Sequence, residues 1–118
     1  MGILFKFFTI AFFILPQSIF AADFNYGTGQ AAQSNLASKS LITAMEQISD
    51  RIYAVGVHGI IIYSDDLGDT WTQSENVPYQ NTITDISCAN VTKCWAVGHD
   101  ATVLHTNDGG KNWSKQYE

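Results

Sequence analysis

The chain has 118 residues, with six basic side chains, eleven acidic ones and a formal net charge of −5. Arg51 is its single arginine. That balance excludes the basic face that nucleic acid requires and the Lys/Arg clusters that hold anionic lipid.

Residues 1–21 read as a secretory signal peptide. Lys6 gives the positive start, Phe7 to Leu15 is apolar except for Thr9, Pro16 breaks the run, and Ala21 and Ala22 offer small residues for cleavage. The apolar run is shorter than the roughly 20 residues that span a bilayer, so no integral membrane segment is expected after cleavage. The signal holds one of the six basic residues and none of the acidic ones, so residues 22–118 carry five against eleven, a formal −6. Residues 22–40 form a polar lead-in of small residues, read either as a flexible segment or as a strand completing a neighbouring blade.

From residue 41 onward the chain repeats. Shifted by forty-two positions without a gap, "RIYAVGVHGIIIYSDDLGDTWTQS" lies over "KCWAVGHDATVLHTNDGGKNWSKQ". Periods of 20–50 residues signal stacked supersecondary units. Each unit reads as strands. Ile52–Gly56 and Cys94–Gly98 are short, β-branched and aromatic, and each ends at glycine. Ile60–Ser64 and Thr102–Thr106 are near-continuous apolar runs, as expected of strands covered on both faces. Trp71–Gln73 and Trp113–Lys115 restart the chain after the turn. Ile83–Cys88 is a further strand by its Ile83/Ile86 pattern, and its repeat partner is Leu41–Glu46. Residues 41–48 also fit a helical stripe, with Leu41, Ala44, Met45 and Ile48 on one side and Ser40 as a cap. The repeat argues for strand. Four short strands per unit of about 40–45 residues is the arithmetic of a propeller blade. The expected fold is therefore all-β, with two consecutive four-stranded antiparallel blades, residues 41–76 and 77–118.

The turn "SDDLGDTW" (64–71) returns as "TNDGGKNW" (106–113). Asp66 and Asp108 are expected to accept hydrogen bonds from backbone N–H groups just ahead. Gly68 and Gly110 are expected to take positive φ. Trp71 and Trp113 are expected to cover the hairpin bases, and Ser64 and Thr106 to supply hydroxyls where each turn starts. Cys88 and Cys94 fall in the exported part, where a disulfide is the default. A metal site needs more ligands at fixed spacing.

The pattern Ser64, Asp66, Gly68, Thr70 and Trp71 resembles the Asp-box, or BNR repeat. The second copy keeps Thr106, Asp108, Gly110 and Trp113 but has Asn112 in place of the threonine, which is expected to weaken the hydroxyl contact while keeping the turn. The longer stretches "YAVGVHGIIIYSDDLGDTW" and "WAVGHDATVLHTNDGGKNW" resemble the repeat of photosystem II stability/assembly factor-like propellers, over about residues 41–118. The resemblance implies an exported, non-enzymatic propeller that binds protein partners, among them a membrane complex under assembly. The implied compartment is periplasmic or secreted, or the thylakoid lumen for a photosynthetic source. No cofactor is implied.

Competing chemistries are weaker. A sialidase-like glycosidase resembles its family through an arginine triad, and this chain has one arginine. Glu75 and Asp85 form a carboxylate pair only on paper. His58, His99 and His105, with Asp100, are more simply turn and strand residues than metal ligands. Asn90-Val-Thr92 and Asn112-Trp-Ser114 match the glycosylation acceptor pattern. Tyr26, Tyr53, Tyr79, Trp71, Trp95 and Trp113 could stack sugars in a lectin-like ring. Tyr53 and Trp95 are repeat-equivalent, however, and read as core. Two blades do not close a ring of the usual 4–8. The expectations are a truncated remnant of a longer propeller, an independent two-blade unit, or self-association into a closed ring.

Overall fold

A computed structural model describes residues 29–117. Residues 1–21, read above as a signal peptide, and Tyr26 lie outside them. The chain forms two four-stranded sheets, each a simple antiparallel meander. The first contains β1 (Ile42–Ile48), β2 (Arg51–Gly56), β3 (Ile61–Ser64) and β4 (Thr72–Gln73). The second contains β5 (Ile83–Cys88), β6 (Cys94–Gly98), β7 (Val103–Thr106) and β8 (Ser114–Tyr117). Residues 42–48 are strand. Their half-buried and exposed positions alternate with the period of two that a sheet imposes, and Met45 lies opposite Ala54 while Glu46 lies opposite Tyr53.

The gapless alignment fails in the first strand of each blade. Cross-strand pairing puts Ile42 against Gly56 and Ile83 against Gly98, so Ile42, not Leu41, occupies the place of Ile83. The cause is hairpin length. Four residues, Ile48–Arg51, lie between the paired Gln47 and Ile52, whereas five, Ala89–Lys93, lie between the equivalent pair Cys88 and Cys94. Hydrogen bonding agrees with the shifted pairing. The Thr43 hydroxyl donates to the Val55 carbonyl and the Thr84 hydroxyl to the Val97 carbonyl, each at 3.1 Å.

The sheets stack face to face. Tyr53, Val55 and Ile61 on the inner side of the first blade pack with Ile83, Ile86, Ala96, Leu104 and Trp113 of the second. Tyr53, Val55 and Ile61 are fully buried. Burying an aromatic or β-branched side chain of this size is worth about 1.5–3 kcal/mol, so this interface is the main core. A smaller cluster on the far face of the first blade joins Ala37, Ala54, Ile60 and Ile62, with Ile42 and Trp71 against them.

The lead-in is neither free nor a strand over its described part. The Ala31 N–H donates to the Val77 carbonyl at 2.8 Å, and the Gln73 side chain donates to the Ala32 carbonyl at 2.8 Å while accepting from the Ser34 N–H at 2.9 Å. A single 3-10 turn, Ala37–Lys39, then lays Ala37 into the small cluster. Small polar residues suit this path, because they lie flat on a sheet and bond its edge.

Candidate functional site

Each Asp-box is a closed hydrogen-bond circuit. In the first, the Ser64 hydroxyl donates to Asp66 Oδ1 at 2.7 Å and accepts from the Gly68 N–H at 2.8 Å. Asp66 also accepts from the Thr70 N–H at 2.8 Å and from the Thr70 hydroxyl at 2.5 Å. These donors, the Thr70 pair first, pull the Asp66 carboxyl down to about 2. In the second, Thr106 donates to Asp108 at 2.8 Å, the Gly110 N–H donates to the Thr106 hydroxyl at 3.1 Å, and the Asn112 N–H donates to Asp108 at 3.0 Å. As expected, the turn is kept at Asn112 while the contact lengthens from the 2.5 Å that Thr70 makes. The Asn112 side-chain amide reaches Asp108 Oδ2 at 2.8 Å and takes the place of the threonine hydroxyl. Burial pushes the Asp108 carboxyl up, but the bonds from Asn112 and Thr106 outweigh it and hold the group below its ordinary value.

The two turns then part company. The second is docked between the blades. Gly109 and Gly110 have φ of +78° and +86°, and a Cβ on them would lie 2.7 Å from the Arg51 guanidinium and 2.7 Å from the Tyr53 ring respectively. Arg51 binds the Asp65 carboxylate through Nε at 2.6 Å and Nη2 at 2.9 Å, and donates to the Gly109 carbonyl at 2.5 Å. The Asp65 bond holds the guanidinium charged, and Arg51 in turn lowers the Asp65 carboxyl. The guanidinium also lies over the Tyr63 ring, 4.6 Å from its centroid. The Tyr53 hydroxyl donates across to the Val91 carbonyl at 2.6 Å. On the same seam, the fully buried Ser74 hydroxyl donates to the Gly110 carbonyl and accepts from the Trp113 indole N–H at 3.1 Å. The side chain of Glu46 accepts from the Cys88 N–H at 2.8 Å.

The tryptophans therefore do different work. Trp113 is buried in the seam, whereas Trp71 is half-buried at the far face of the first blade. The expectation that Tyr53 and Trp95 are both core holds for Tyr53 alone. Trp95 is half-buried on the outer face of the second blade, where its ring stacks at 4.8 Å on His105 and its indole N–H donates to Gln116 at 2.9 Å. Among the described residues no blade lies beyond it to complete its burial. Tyr79 is buried, with its hydroxyl on the His99 carbonyl at 3.0 Å.

Cys88 and Cys94 are opposite one another across β5 and β6 and are disulfide-bonded. His58 and His99 stand in the turns after the two Ala-Val-Gly strands, and His105 is committed to Trp95. Among the described residues no group of three or more His, Cys, Asp or Glu side chains is arranged to hold a metal ion. Glu75 lies 3.9 Å from Lys111, while Asp85 accepts from the Ile86 N–H at 2.8 Å. The amides of Asn90 and Asn112 are both engaged, the first as acceptor for Thr92 and Lys93, the second with Asp108 and Asn76.

No family model and no curated protein matches the sequence. Solved structures do. YCF48 from Cyanidioschyzon merolae superposes with a TM-score of 0.57 and 22 % identity, over 75 % of this chain and 26 % of that one. YCF48 bound to D1 peptide superposes with a TM-score of 0.55 and 27 % identity, over 67 % of this chain and 27 % of that one. The chain is a YCF48-like pair of propeller blades. It spans about a quarter of the length of those two structures.

The seam residues Arg51, Ser74 and Glu46 do not stand out in the sequence. Each lies outside the Asp-box pattern and acts across the blades. One signal is present: a lone arginine at the start of a strand, with Asp65 fourteen residues later.

Proposed function

We propose that the protein is an exported, non-enzymatic YCF48-like scaffold that binds a segment of a client protein during assembly of a larger complex. The observation that carries this reading is the likeness, at 27 % identity, to a YCF48 structure bound to D1 peptide. The chemistry of the blades supports it. The polar side chains that recur in both repeats, Ser64/Thr106, Asp66/Asp108 and Thr70/Asn112, are consumed in turn circuits. They hold the scaffold and leave recognition to side chains that differ between blades. Export rests on the N-terminal signal pattern and on the cysteine pair, since a disulfide persists in oxidising compartments. The client is nascent photosystem II where the source is photosynthetic.

The test is direct binding of the labelled D1 peptide, followed by fluorescence anisotropy, with cross-linking in the exported fraction alongside it. Saturable peptide binding, or one discrete cross-linked client, supports the scaffold. Folded protein that binds no peptide and cross-links to nothing refutes it, and binding on a glycan array instead would favour a lectin-like role for Trp95.

A further inference from the structure

We infer that the outer face of the second blade is a docking surface for a second copy of this chain, joined head to tail through the outer face of that copy's first blade. The blade–blade seam within one chain is the template. On its first-blade side it consists of the rows Ala44–Val55–Ile61 and Glu46–Tyr53–Tyr63. The corresponding rows of the second blade are Asp85–Val97–Val103 and Ser87–Trp95–His105, and these face outward. On its second-blade side the seam presents Ile86, Ala96 and Leu104. Their counterparts Met45, Ala54 and Ile62 form the outer face of the first blade. Each outer face thus repeats one half of a contact that the chain already makes.

Exposure marks an open position on each half. Val97 is 39 % exposed where its counterpart Val55 is 0 %, and Met45 is 57 % exposed where Ile86 is 6 %. Soluble chains seldom leave such positions open on a contiguous sheet face. One steric change between the repeats, at the turn, is compensated. Within the chain, Arg51 meets Gly109, and a Cβ there would lie 2.7 Å from its guanidinium. At the outer faces the pair becomes Lys93 and Leu67. Leu67 holds φ of +60° and is 60 % exposed, and the thinner, more flexible lysine leaves room for it.

The lead-in covers part of the first-blade face: Ala37, with Trp71, helps hold Ala54 and Ile62 to 1 % and 3 % exposure, and Met45 stays open. In the existing seam the corresponding segment likewise contributes Val77 and Tyr79. A head-to-tail contact is heterologous, so it propagates, closing into a ring when the rotation permits.

The test is the mass of the purified protein by light scattering as concentration rises, compared with Val97→Asp and Met45→Asp. Wild type is expected to exceed the mass of one chain, and each variant to fall to one chain. Each variant keeps the face that the other lacks, so mixing them is expected to restore a one-to-one complex and nothing larger. Wild type at the mass of one chain throughout would overturn the inference. So would an assembly that survives either variant, or two monomeric variants that fail to pair. If a variant does not melt cooperatively, Lys93→Glu replaces Val97→Asp and Leu67→Glu replaces Met45→Asp.

Discussion

Gly110→Ala and Gly68→Ala place the same methyl group at the same turn position in two different surroundings. Both glycines have positive φ, +86° and +97°. An alanine there costs about 1–2 kcal/mol in backbone strain. At Gly68 that is the whole cost, because the added Cβ finds only the Trp71 ring, at an ordinary 3.6 Å. At Gly110 the Cβ falls 2.7 Å from Tyr53 Cε1. Tyr53 is 0 % exposed and tethered by its hydroxyl to the Val91 carbonyl at 2.6 Å, so its ring cannot swing away. Overpacking of this kind adds about 1–3 kcal/mol. Gly110→Ala is therefore expected to lose about 2–5 kcal/mol and Gly68→Ala about 1–2 kcal/mol. Urea unfolding followed by tryptophan fluorescence measures both, and each kcal/mol corresponds to roughly 4–8 °C in Tm for a domain of this size. Adding Tyr53→Leu should relieve part of the Gly110→Ala loss, a non-additivity that marks contact between the two positions. Equal losses at the two glycines, or strict additivity with Tyr53→Leu, would refute the docking of the second Asp-box against Tyr53.

Three further outcomes are expected. Tyr53→Phe leaves the Val91 carbonyl without its cross-blade donor and should cost about 1–2 kcal/mol in urea unfolding, whereas Tyr63→Phe, whose ring is half-buried, should cost less. Replacing both Cys88 and Cys94 by serine opens a short loop and should remove about 2–2.5 kcal/mol on the chain-entropy account, read as a lower urea midpoint than the oxidised protein. Asp65, Asp66 and Asp108 all have carboxyls held below their ordinary values, Asp66 at about 2. Stability from these groups is complete above the unfolded value of about 4 and is lost as pH falls toward 2, because the unfolded chain binds protons first. Urea midpoints taken across that window should fall more steeply for wild type than for Asp66→Asn, and parallel profiles would count against the ionised circuit.

The strands and turns were legible because their signals are local. Ile83–Cys88 and Cys94–Gly98 begin and end where β-branched runs meet glycine and cysteine, and the boundaries observed are the same. Residues 42–48 were legible only through the repeat, since their apolar spacing satisfies both a helix and a half-covered strand. The register of that strand was not legible, because the one-residue difference between the Ile48–Arg51 and Ala89–Lys93 hairpins leaves no trace in a gapless comparison. The seam was the least accessible part. Arg51 reaches Gly109 across fifty-eight positions and Ser74 reaches Gly110 across thirty-six. Such contacts depend on how two sheets stack, which local pattern does not encode.

The departures from the repeat carry the functional information that its matches lack. Where both copies agree, at Asp66/Asp108 and Gly68/Gly110, the residue serves the turn and is silent about partners. Where they differ, the surroundings differ. Arg51, Tyr53 and Tyr63 grip a neighbouring blade, while Lys93, Trp95 and His105 occupy the same positions with no blade of the described residues against them. Gly109 yields to a guanidinium, while Leu67 fills open space. The substitutions at the open positions keep Trp95, Val97 and Val103 on the face of an acidic chain, although Asp85 stands in β5 where the seam has Ala44. Solubility alone would favour charge there. Retaining Trp95, Val97 and Val103 instead argues that this face is built to be covered, which makes it the first surface on which to seek a partner.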